Sequence, residues 1–253
     1  MVRLKKNSIT IIVFLTAVFI FTGIGYIIYK KPFSNSGVYY KDFGIYLPEG
    51  YGIHGIDVSR YQRNINWKMV KEMKKKNVQI KFTFIKATQG DDKVDAYFFR
   101  NWIGSEENGI IRGAYHYFIP EMDAADQARI FYQTVQLLPG DLPPVLDIEK
   151  INDLSDNELK IKIKNWLNII QRHYGVKPII YTNADFYEDH LYGSFEDYPL
   201  WIAHYSGSKN PRVRRNWHFW QHNERGRVNG IRDFVDFNVF YGDSTAFEKL
   251  LID

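Results

Sequence analysis

The sequence predicts an α/β protein built as a (β/α) barrel, and three observations support this prediction. Short apolar runs alternate with amphipathic stretches from about residue 51 to the C-terminus. The runs are apolar on both faces, as are parallel strands covered by helices. Eight of them fit into about 200 residues, which is enough for a compact barrel. The predicted strands are His54–Ser59, Ile80–Thr88, Ile111–Phe118, Pro144–Glu149, Pro178–Thr182, Leu200–Tyr205, His218–His222 and Phe234–Phe240.

Helical patterns fill most of the gaps between these strands. Apolar residues recur at the spacing of one helix face from Trp67 to Met73, and Asn66 precedes them as an N-cap. The sequence Ser155-x-x-Glu158 predicts a capping box at the start of another helix. A third helix is expected over about 123–138. After Leu200 the strands lie too close together for a full helix between every pair.

The N-terminal residues predict a membrane anchor or a secretory signal. Between Lys6 and Lys30 lie 23 uncharged residues, and the 21 from Ile9 to Tyr29 are mostly apolar. A helix of that length spans about 31 Å, which matches a bilayer core of about 30 Å. Signal peptides usually have a shorter apolar stretch, so the sequence favours a retained transmembrane helix over cleavage near residues 34–36.

The predicted organisation has three parts. Residues 1–31 form the anchor or signal, residues 32–50 a linker rich in Pro, Gly and Ser, and residues 51–253 the barrel domain. The basic residues before the apolar run favour a cytoplasmic N-terminus. The barrel is then membrane-anchored in the periplasm or at the cell surface, or secreted if the segment is cleaved. A chain beginning near Pro48 is expected to fold and to be active.

Charge and composition exclude several functional classes. The chain has a net charge of +4, but residues 1–31 hold five Lys or Arg and no acid, which leaves 28 basic and 29 acidic residues in the other 222. A near-neutral body lacks the basic patch of a nucleic-acid-binding protein. The absence of Cys excludes disulfides, thiolate nucleophiles and Cys-bound metals. The seven His residues form neither HxH nor HExxH, so no metal or other cofactor is predicted.

Acidic residues in three of the predicted strands are candidates for catalysis. Asp147 and Glu149 are two residues apart, so on a strand they share one face. In (β/α) barrels such strand ends carry the reactive groups. Two adjacent carboxylates raise the pKa of at least one of them, which keeps a general acid protonated near neutral pH. Asp57 and Asp236 lie on the first and last strands, which are neighbours in a closed barrel, so all four acids could converge. The alternative is that they form ion pairs with Lys or Arg.

Eight motifs lie in order between residues 54 and 242. They are Gly55-Ile56-Asp57-Val58-Ser59 with Tyr61-Gln62 and Ile65-Asn66-Trp67, Phe84-Ile85-Lys86-Ala87-Thr88, Gly113-Ala114-Tyr115-His116-Tyr117-Phe118, Leu146-Asp147-Ile148-Glu149, Ile180-Tyr181-Thr182, Leu200-Trp201-Ile202-Ala203-His204-Tyr205, Trp220-Gln221 and Val235-Asp236-Phe237-Asn238. With these motifs the chain resembles glycoside hydrolase family 25, the Chalaropsis-type lysozymes or N-acetylmuramidases.

The resemblance implies an irregular, flattened TIM-like barrel that cleaves the β-1,4 bond between N-acetylmuramic acid and N-acetylglucosamine in peptidoglycan. It implies that Glu149 is the general acid and that Asp147 orients and polarises the substrate acetamido group in a substrate-assisted, retaining reaction. Asp57 and Asp236 match the other acids of the cleft. The residues that it implies for sugar binding are Tyr115, Tyr181, Trp201 and Gln221.

One position departs from the family pattern. This chain has Lys86-Ala87-Thr88-Gln89-Gly90 where the family commonly has Glu in place of Gln89. The change is expected to alter local hydrogen bonding or a subsite preference without removing the proposed acid. Two alternatives stay open at this point. One is a catalytically silent cell-wall glycan-binding protein on the same fold, and the other is a metal-dependent polysaccharide deacetylase.

Overall fold

An eight-stranded barrel forms the body of the protein. The computed structural model describes residues 37–253. In chain order the strands are β1 (Val38–Tyr40), β2 (Ile45–Leu47), β3 (His54–Val58), β4 (Lys74–Lys75), β5 (Val78–Gln89), β6 (Lys93–Val94), β7 (Ile111–Tyr117), β8 (Val145–Asp147), β9 (Ile179–Asn183), β10 (Leu200–Ala203), β11 (Phe219–Gly226) and β12 (Val235–Phe240). The helices are α1 (Trp67–Glu72), α2 (Phe98–Glu107), α3 (Ala124–Thr134), α4 (Asp156–Tyr174), α5 (Ala184–Phe186) and α6 (Ser244–Glu248), with single turns at Arg60–Gln62 and Tyr187–Leu191.

The barrel closes in the strand order β3-β5-β7-β8-β9-β10-β11-β12, with β12 paired to β3. Neighbouring strands from β3 to β11 run parallel, whereas β12 is antiparallel to both of its neighbours. The predicted α/β class, the eight strands and the pairing of first and last strands are therefore confirmed. Because β12 runs in the opposite direction, its N-terminal end lies at the same mouth as the C-terminal ends of the other strands.

The barrel interior is filled mainly by aromatic and branched side chains. Phe82 and Phe84, two residues apart on β5, both belong to this inner core, as the two-residue period of a strand requires. Phe84 stacks on Trp201 of β10 with ring centroids 4.2 Å apart. A second apolar layer packs the outer faces of the strands against the helices and includes the buried Trp166 of α4. This packed interior holds in place the strand ends at which the acidic residues lie.

Two predicted helix caps are confirmed. The Asn66 side chain accepts a hydrogen bond of 3.2 Å from the backbone N–H of Met69 at the start of α1. At the start of α4, the backbone N–H of Ser155 donates to Oε2 of Glu158 at 2.9 Å, and the backbone N–H of Glu158 donates back to Oγ of Ser155 at 3.4 Å. Both side chains therefore satisfy backbone groups that the first helical turn leaves without partners.

The third helix is shorter than predicted. It begins after Asp123, whose carboxylate caps it, but it ends at Thr134 rather than near residue 138. Val135 has an extended backbone with ψ of 120° and is buried. The chain leaves the helix there because the Val135 side chain packs into the core, which helix periodicity alone does not reveal.

The structure corrects the linker predicted over residues 32–50, because residues 37–50 are folded. β1 and β2 pair as an antiparallel hairpin. Phe43, Ile45 and Leu47 of this hairpin are buried in the outer apolar core. The Phe43 ring packs edge-on against Phe237 of β12, with centroids 5.3 Å apart. The folded body therefore includes the hairpin, and a chain beginning near Pro48 would lose part of the core.

The predicted anchor or signal over residues 1–31 lies outside the described residues. Within residues 37–253, no helix is long and apolar enough to cross a bilayer. The transmembrane helix therefore stays a prediction from the sequence.

Candidate active site

A cavity of about 380 Å³ opens where the strands converge at one mouth of the barrel. Every residue that the sequence analysis assigned to the site lines this cavity. The acids are Asp57, Asp147, Glu149 and Asp236, and the others are Tyr115, Tyr181, Trp201 and Gln221. Residues far apart in the sequence are thus brought together as predicted, while their individual roles stay predictions.

The strand pairing explains why the four acids meet. Asp57 lies near the C-terminal end of β3, and Asp236 lies directly across from it near the N-terminal end of the antiparallel β12. Asp147 is the last residue of β8, and Glu149 follows two residues later at an exposed position on the mouth. Among the described residues, none of the four acids forms an ion pair with Lys or Arg. The surface ion-pair alternative is therefore wrong for this part of the chain.

A hydrogen-bond network fixes the Asp57 carboxylate. Its Oδ1 accepts from Nε2 of Gln221 at 2.8 Å and from Nδ2 of Asn238 at 2.7 Å. Asn238 in turn accepts a 2.8 Å hydrogen bond from the indole N–H of Trp201. Gln221 accepts one of 2.8 Å from the Tyr181 hydroxyl. Because each amide is held from its other side, Asp57 has a single well-defined orientation.

Asp57 and Asp236 form a coupled acidic pair. Burial raises the pKa of Asp57 to about 6, although the hydrogen bonds from Asn238 and Gln221 oppose the rise. Burial and the neighbouring Asp57 charge raise the pKa of Asp236 to about 9. At neutral pH the two carboxyls therefore share one proton. The pair carries one negative charge rather than two.

Asp147 and Glu149 form a second coupled pair. Desolvation raises the pKa of both carboxyls, and most strongly that of the more deeply buried Asp147. The two side chains are hydrogen-bonded to each other. Oδ1 of Asp147 is buried and has no hydrogen-bond partner within the described part of the chain. Desolvation therefore favours the retention of a proton by this second pair.

Lys86 of β5 is the cation of this cavity. Its positive charge lowers the pKa of both Asp147 and Glu149, while its own pKa is lowered by desolvation. Nζ of Lys86 donates to Oε1 of Gln89 at 2.8 Å and lies 4.5 Å from the centroid of the Tyr117 ring. Gln89, where the family commonly has Glu, thus places a neutral amide oxygen beside Lys86 instead of a carboxylate. The Lys86 charge is therefore left to act on the Asp147–Glu149 pair.

The aromatic residues differ in how much surface they offer. Trp201 is only 2% exposed and Tyr181 8%, and their ring centroids lie 4.3 Å apart. Tyr115 is half-buried and meets the edge of Trp201 at 6.4 Å. Trp201 and Tyr181 thus form a rigid floor beneath the acids. Tyr115 presents more of its ring to the cavity.

Sequence reasoning missed several residues of the cavity. Asn238 was not assigned to the site, although it follows Asp236 by two residues and so shares its strand face. Asn238 holds Asp57 without lining the cavity. The missed residues that do line it include Tyr61, Lys86, Tyr117, Tyr205 and Glu224. Lys86 is one of two charged residues, with Lys81, in the predicted strand Ile80–Thr88. No sequence pattern marks Tyr205 or Glu224 as cavity residues, because the positions of loops and strand ends depend on the fold.

Metal binding by this site has no geometric support. Within residues 37–253, no group of three or more His, Cys, Asp or Glu side chains is arranged to hold a metal ion. The carboxylates instead hydrogen-bond to amides and to one another.

A barrel with carboxylates clustered at its mouth is an arrangement that glycoside hydrolases use. The family model of glycosyl hydrolases family 25 matches residues 56–231. The chain therefore belongs to this family, as the sequence motifs indicated.

Relatives and solved structures agree with this membership. The chain is 50% identical over 202 residues to YegX of Escherichia coli (strain K12), covering 80% of this chain and 74% of YegX. It is 33% identical over 215 residues to Lysozyme M1 of Streptomyces globisporus, covering 79% and 71%. It also resembles the structure of a family 25 glycosyl hydrolase from Bacillus anthracis, with a TM-score of 0.76 and 29% identity over 85% of this chain and 100% of that one. The hairpin at residues 37–50 lies outside the family match.

Proposed function

We propose that the protein is a muramidase that hydrolyses the β-1,4 bond between N-acetylmuramic acid and N-acetylglucosamine in peptidoglycan. The observation that carries the proposal is the pair Asp147 and Glu149, two carboxyls at the mouth of a cavity in a family 25 barrel whose pKa values are raised by desolvation. Relatives named Lysozyme M1 and Autolytic lysozyme support the choice of substrate.

Glu149 is the proposed general acid. It is the exposed member of its pair, so a glycosidic oxygen bound in the cavity can reach it. Desolvation raises its pKa, which favours the protonated form needed to protonate the leaving oxygen near neutral pH. As the glycosidic bond breaks, this proton passes to the leaving sugar and Glu149 becomes a carboxylate that can accept a proton from water.

Asp147 is the proposed partner of the substrate acetamido group. Asp147 lines the cavity, and its carboxylate is a suitable acceptor for an acetamido N–H. A hydrogen bond to the ionised form lowers a carboxyl pKa, so binding of this N–H moves the shared proton towards Glu149. The acetamido oxygen then attacks the anomeric carbon while the leaving bond breaks, and water later opens the cyclic intermediate with net retention.

Asp57 and Asp236 provide the proposed electrostatic support. The pair holds one negative charge at neutral pH, and the amides of Gln221 and Asn238 fix its position. A preorganised negative charge stabilises the positive charge that develops at the anomeric carbon. Sharing one proton between the two carboxyls avoids the repulsion of two adjacent carboxylates.

The direct test is turnover of purified peptidoglycan by the wild type and by Glu149→Gln. An amide cannot protonate the leaving oxygen, so we expect a loss of roughly 10²–10⁴-fold in kcat with retained folding. The matched control is Glu224→Gln, which removes a carboxylate from the same cavity and should keep activity within a few-fold. Activity of Glu149→Gln above a tenth of wild type would remove Glu149 from its role. Binding without turnover by the wild type would favour the silent glycan-binding alternative.

The stereochemistry of the product tests the role of Asp147. NMR of freshly formed product should show a retained anomeric configuration, without a covalent glycosyl-enzyme. Substrate-assisted families are exceptions to the rule that carboxylate separation predicts the outcome. Asp147→Asn should lower kcat more than it raises KM. Initial inversion of configuration would contradict acetamido participation.

We further propose that residues 1–31 anchor the enzyme in a membrane with the barrel outside the cytoplasm. The support is the uncharged 23-residue run between Lys6 and Lys30. The full-length chain should fractionate with membranes and resist extraction by high salt or carbonate. Extraction by either treatment would argue against a spanning helix. A mature chain whose first residue lies near Gly37 would instead establish a cleaved signal.

A further inference from the structure

A second cavity, which we call the basic groove, lies beside the active site. It has a volume of about 590 Å³ and lies between the hairpin, strand β11 and the loop at residues 205–208. Tyr205 lines both the groove and the catalytic cavity. On β11, Glu224 faces the catalytic cavity, whereas its neighbours Asn223 and Arg225 line the groove. A polymer bound across the active site can therefore continue into the groove.

The charge of the groove is opposite to that of the active site. Lys41, Arg225 and Arg227 line the groove, and no Asp or Glu does. None of these three cations forms an ion pair with a carboxylate among the described residues. The catalytic cavity, in contrast, is lined by five carboxyl groups and Lys86. A ligand that spans both sites is thus expected to be uncharged over the cavity and anionic over the groove.

Packing holds the groove residues in place. The Arg225 and Arg227 guanidinium carbons lie 5.5 Å and 5.0 Å from the centroid of the Phe234 ring. The backbone N–H of Arg227 donates a 2.9 Å hydrogen bond to the carbonyl of Phe43, which ties the hairpin to this wall. Stacking on an aromatic face leaves the guanidinium N–H groups available for a carboxylate.

The hairpin adds an aromatic surface to the groove. Tyr39 and Tyr46 are directly paired across β1 and β2, with ring centroids 5.1 Å apart. They are 53% and 42% exposed. Exposed aromatic pairs beside unpaired cations are typical of a binding surface rather than of a solvated hairpin. The hairpin precedes the family match at residues 56–231.

We propose that the basic groove binds the acidic peptide carried by the glycan strand. The inference rests on the proposed function, because peptidoglycan joins a peptide with free carboxylates to its muramic acid residues. Arg225 and Arg227 would each receive a carboxylate through paired N–H donors, and Lys41 would add a third positive charge. Tyr39 and Tyr46 would pack against the aliphatic parts of the peptide. The enzyme would thus prefer peptide-bearing glycan over glycan whose peptides have been removed.

The test measures binding apart from hydrolysis. Full-length Glu149→Gln protein in detergent is co-sedimented with insoluble peptidoglycan, either intact or stripped of peptides by an amidase. We expect roughly tenfold tighter binding to the intact material, and the preference should weaken as salt rises. Adding Arg225→Ala and Arg227→Ala should abolish the preference. The matched control is Arg100→Ala, which removes an exposed arginine of α2 that does not line the groove.

Three outcomes would overturn the inference. The first is equal binding to intact and stripped glycan, and the second is an unchanged preference in the double arginine variant. In the third outcome, replacing the two arginines abolishes binding to vesicles of anionic phospholipid but leaves binding to peptidoglycan unchanged. That result would assign the groove to a membrane surface. Failure of the proposed function is seen separately, as an absence of turnover by the wild type on either glycan.

Discussion

Replacing Phe43 by Ala tests whether the hairpin at residues 37–50 is part of the folded body. Phe43 is 0% exposed, and its ring packs against Phe237 at 5.3 Å. Truncating a buried Phe to Ala costs about 3–5 kcal/mol, which is a large part of the ~5–15 kcal/mol that stabilises a typical domain. Each kcal/mol lowers the Tm of a domain of this size by about 2–4 °C, so the Tm should fall by roughly 6–20 °C.

Thermal unfolding followed by circular dichroism measures this change. Lys41→Ala is the matched control, because Lys41 is an exposed residue of the same hairpin and should shift the Tm by about 2 °C at most. A chain beginning at Gly37 keeps the hairpin and should fold, whereas one beginning near Pro48 should be markedly less stable. A Tm for Phe43→Ala within about 2 °C of wild type would refute the packing argument.

Three further changes test the electrostatics of the active site. Gln89→Glu gives Lys86 a charged partner and weakens its effect on Glu149, so the alkaline limb of the pH–activity profile should move to higher pH. An unchanged limb would contradict the role assigned to Lys86. Asp236→Asn tests the raised pKa of Asp236. The folded wild type retains a proton that the unfolded chain loses above its ordinary pKa of 3.8, so its stability should fall as pH rises from about 4 towards 9. Urea midpoints at pH 5 and pH 9 should differ less in Asp236→Asn than in the wild type, and an equal difference would exclude the shared proton. Gln221→Ala frees one side of Asp57 and should lower kcat several-fold, and because it leaves buried partners without a hydrogen bond it should also destabilise the fold by about 1–3 kcal/mol, less than Phe43→Ala; an unchanged kcat would contradict the role of Gln221 in positioning Asp57.

Much of the barrel could be predicted because its strands are short, apolar and separated by clear helical patterns. The position of β12 also followed from closure, since Asp57 and Asp236 had to be neighbours if the first and last strands paired. Side-chain alternation then identified Asp147 and Glu149 as a pair. These features depend on local periodicity and on one topological rule, both of which are readable in a single sequence.

The remaining features depend on contacts between distant parts of the chain. The linker prediction for residues 32–50 rests on their Pro, Gly and Ser content, whereas the burial of Phe43, Ile45 and Leu47 depends on partners such as Phe237 of β12. The basic groove could not be predicted for the same reason. Its cations come from the hairpin, from β11 and from the residue that follows β11, and tertiary packing sets the contact between the hairpin and this strand.

The central claim is tested most directly by mass spectrometry of the fragments released from purified peptidoglycan after borohydride reduction. Cleavage between N-acetylmuramic acid and N-acetylglucosamine predicts that every new reducing end lies on muramic acid and is recovered as the muramitol form. The Glu149→Gln protein should release none of these fragments. New reducing ends on glucosamine, or loss of acetyl groups without chain cleavage, would contradict the account.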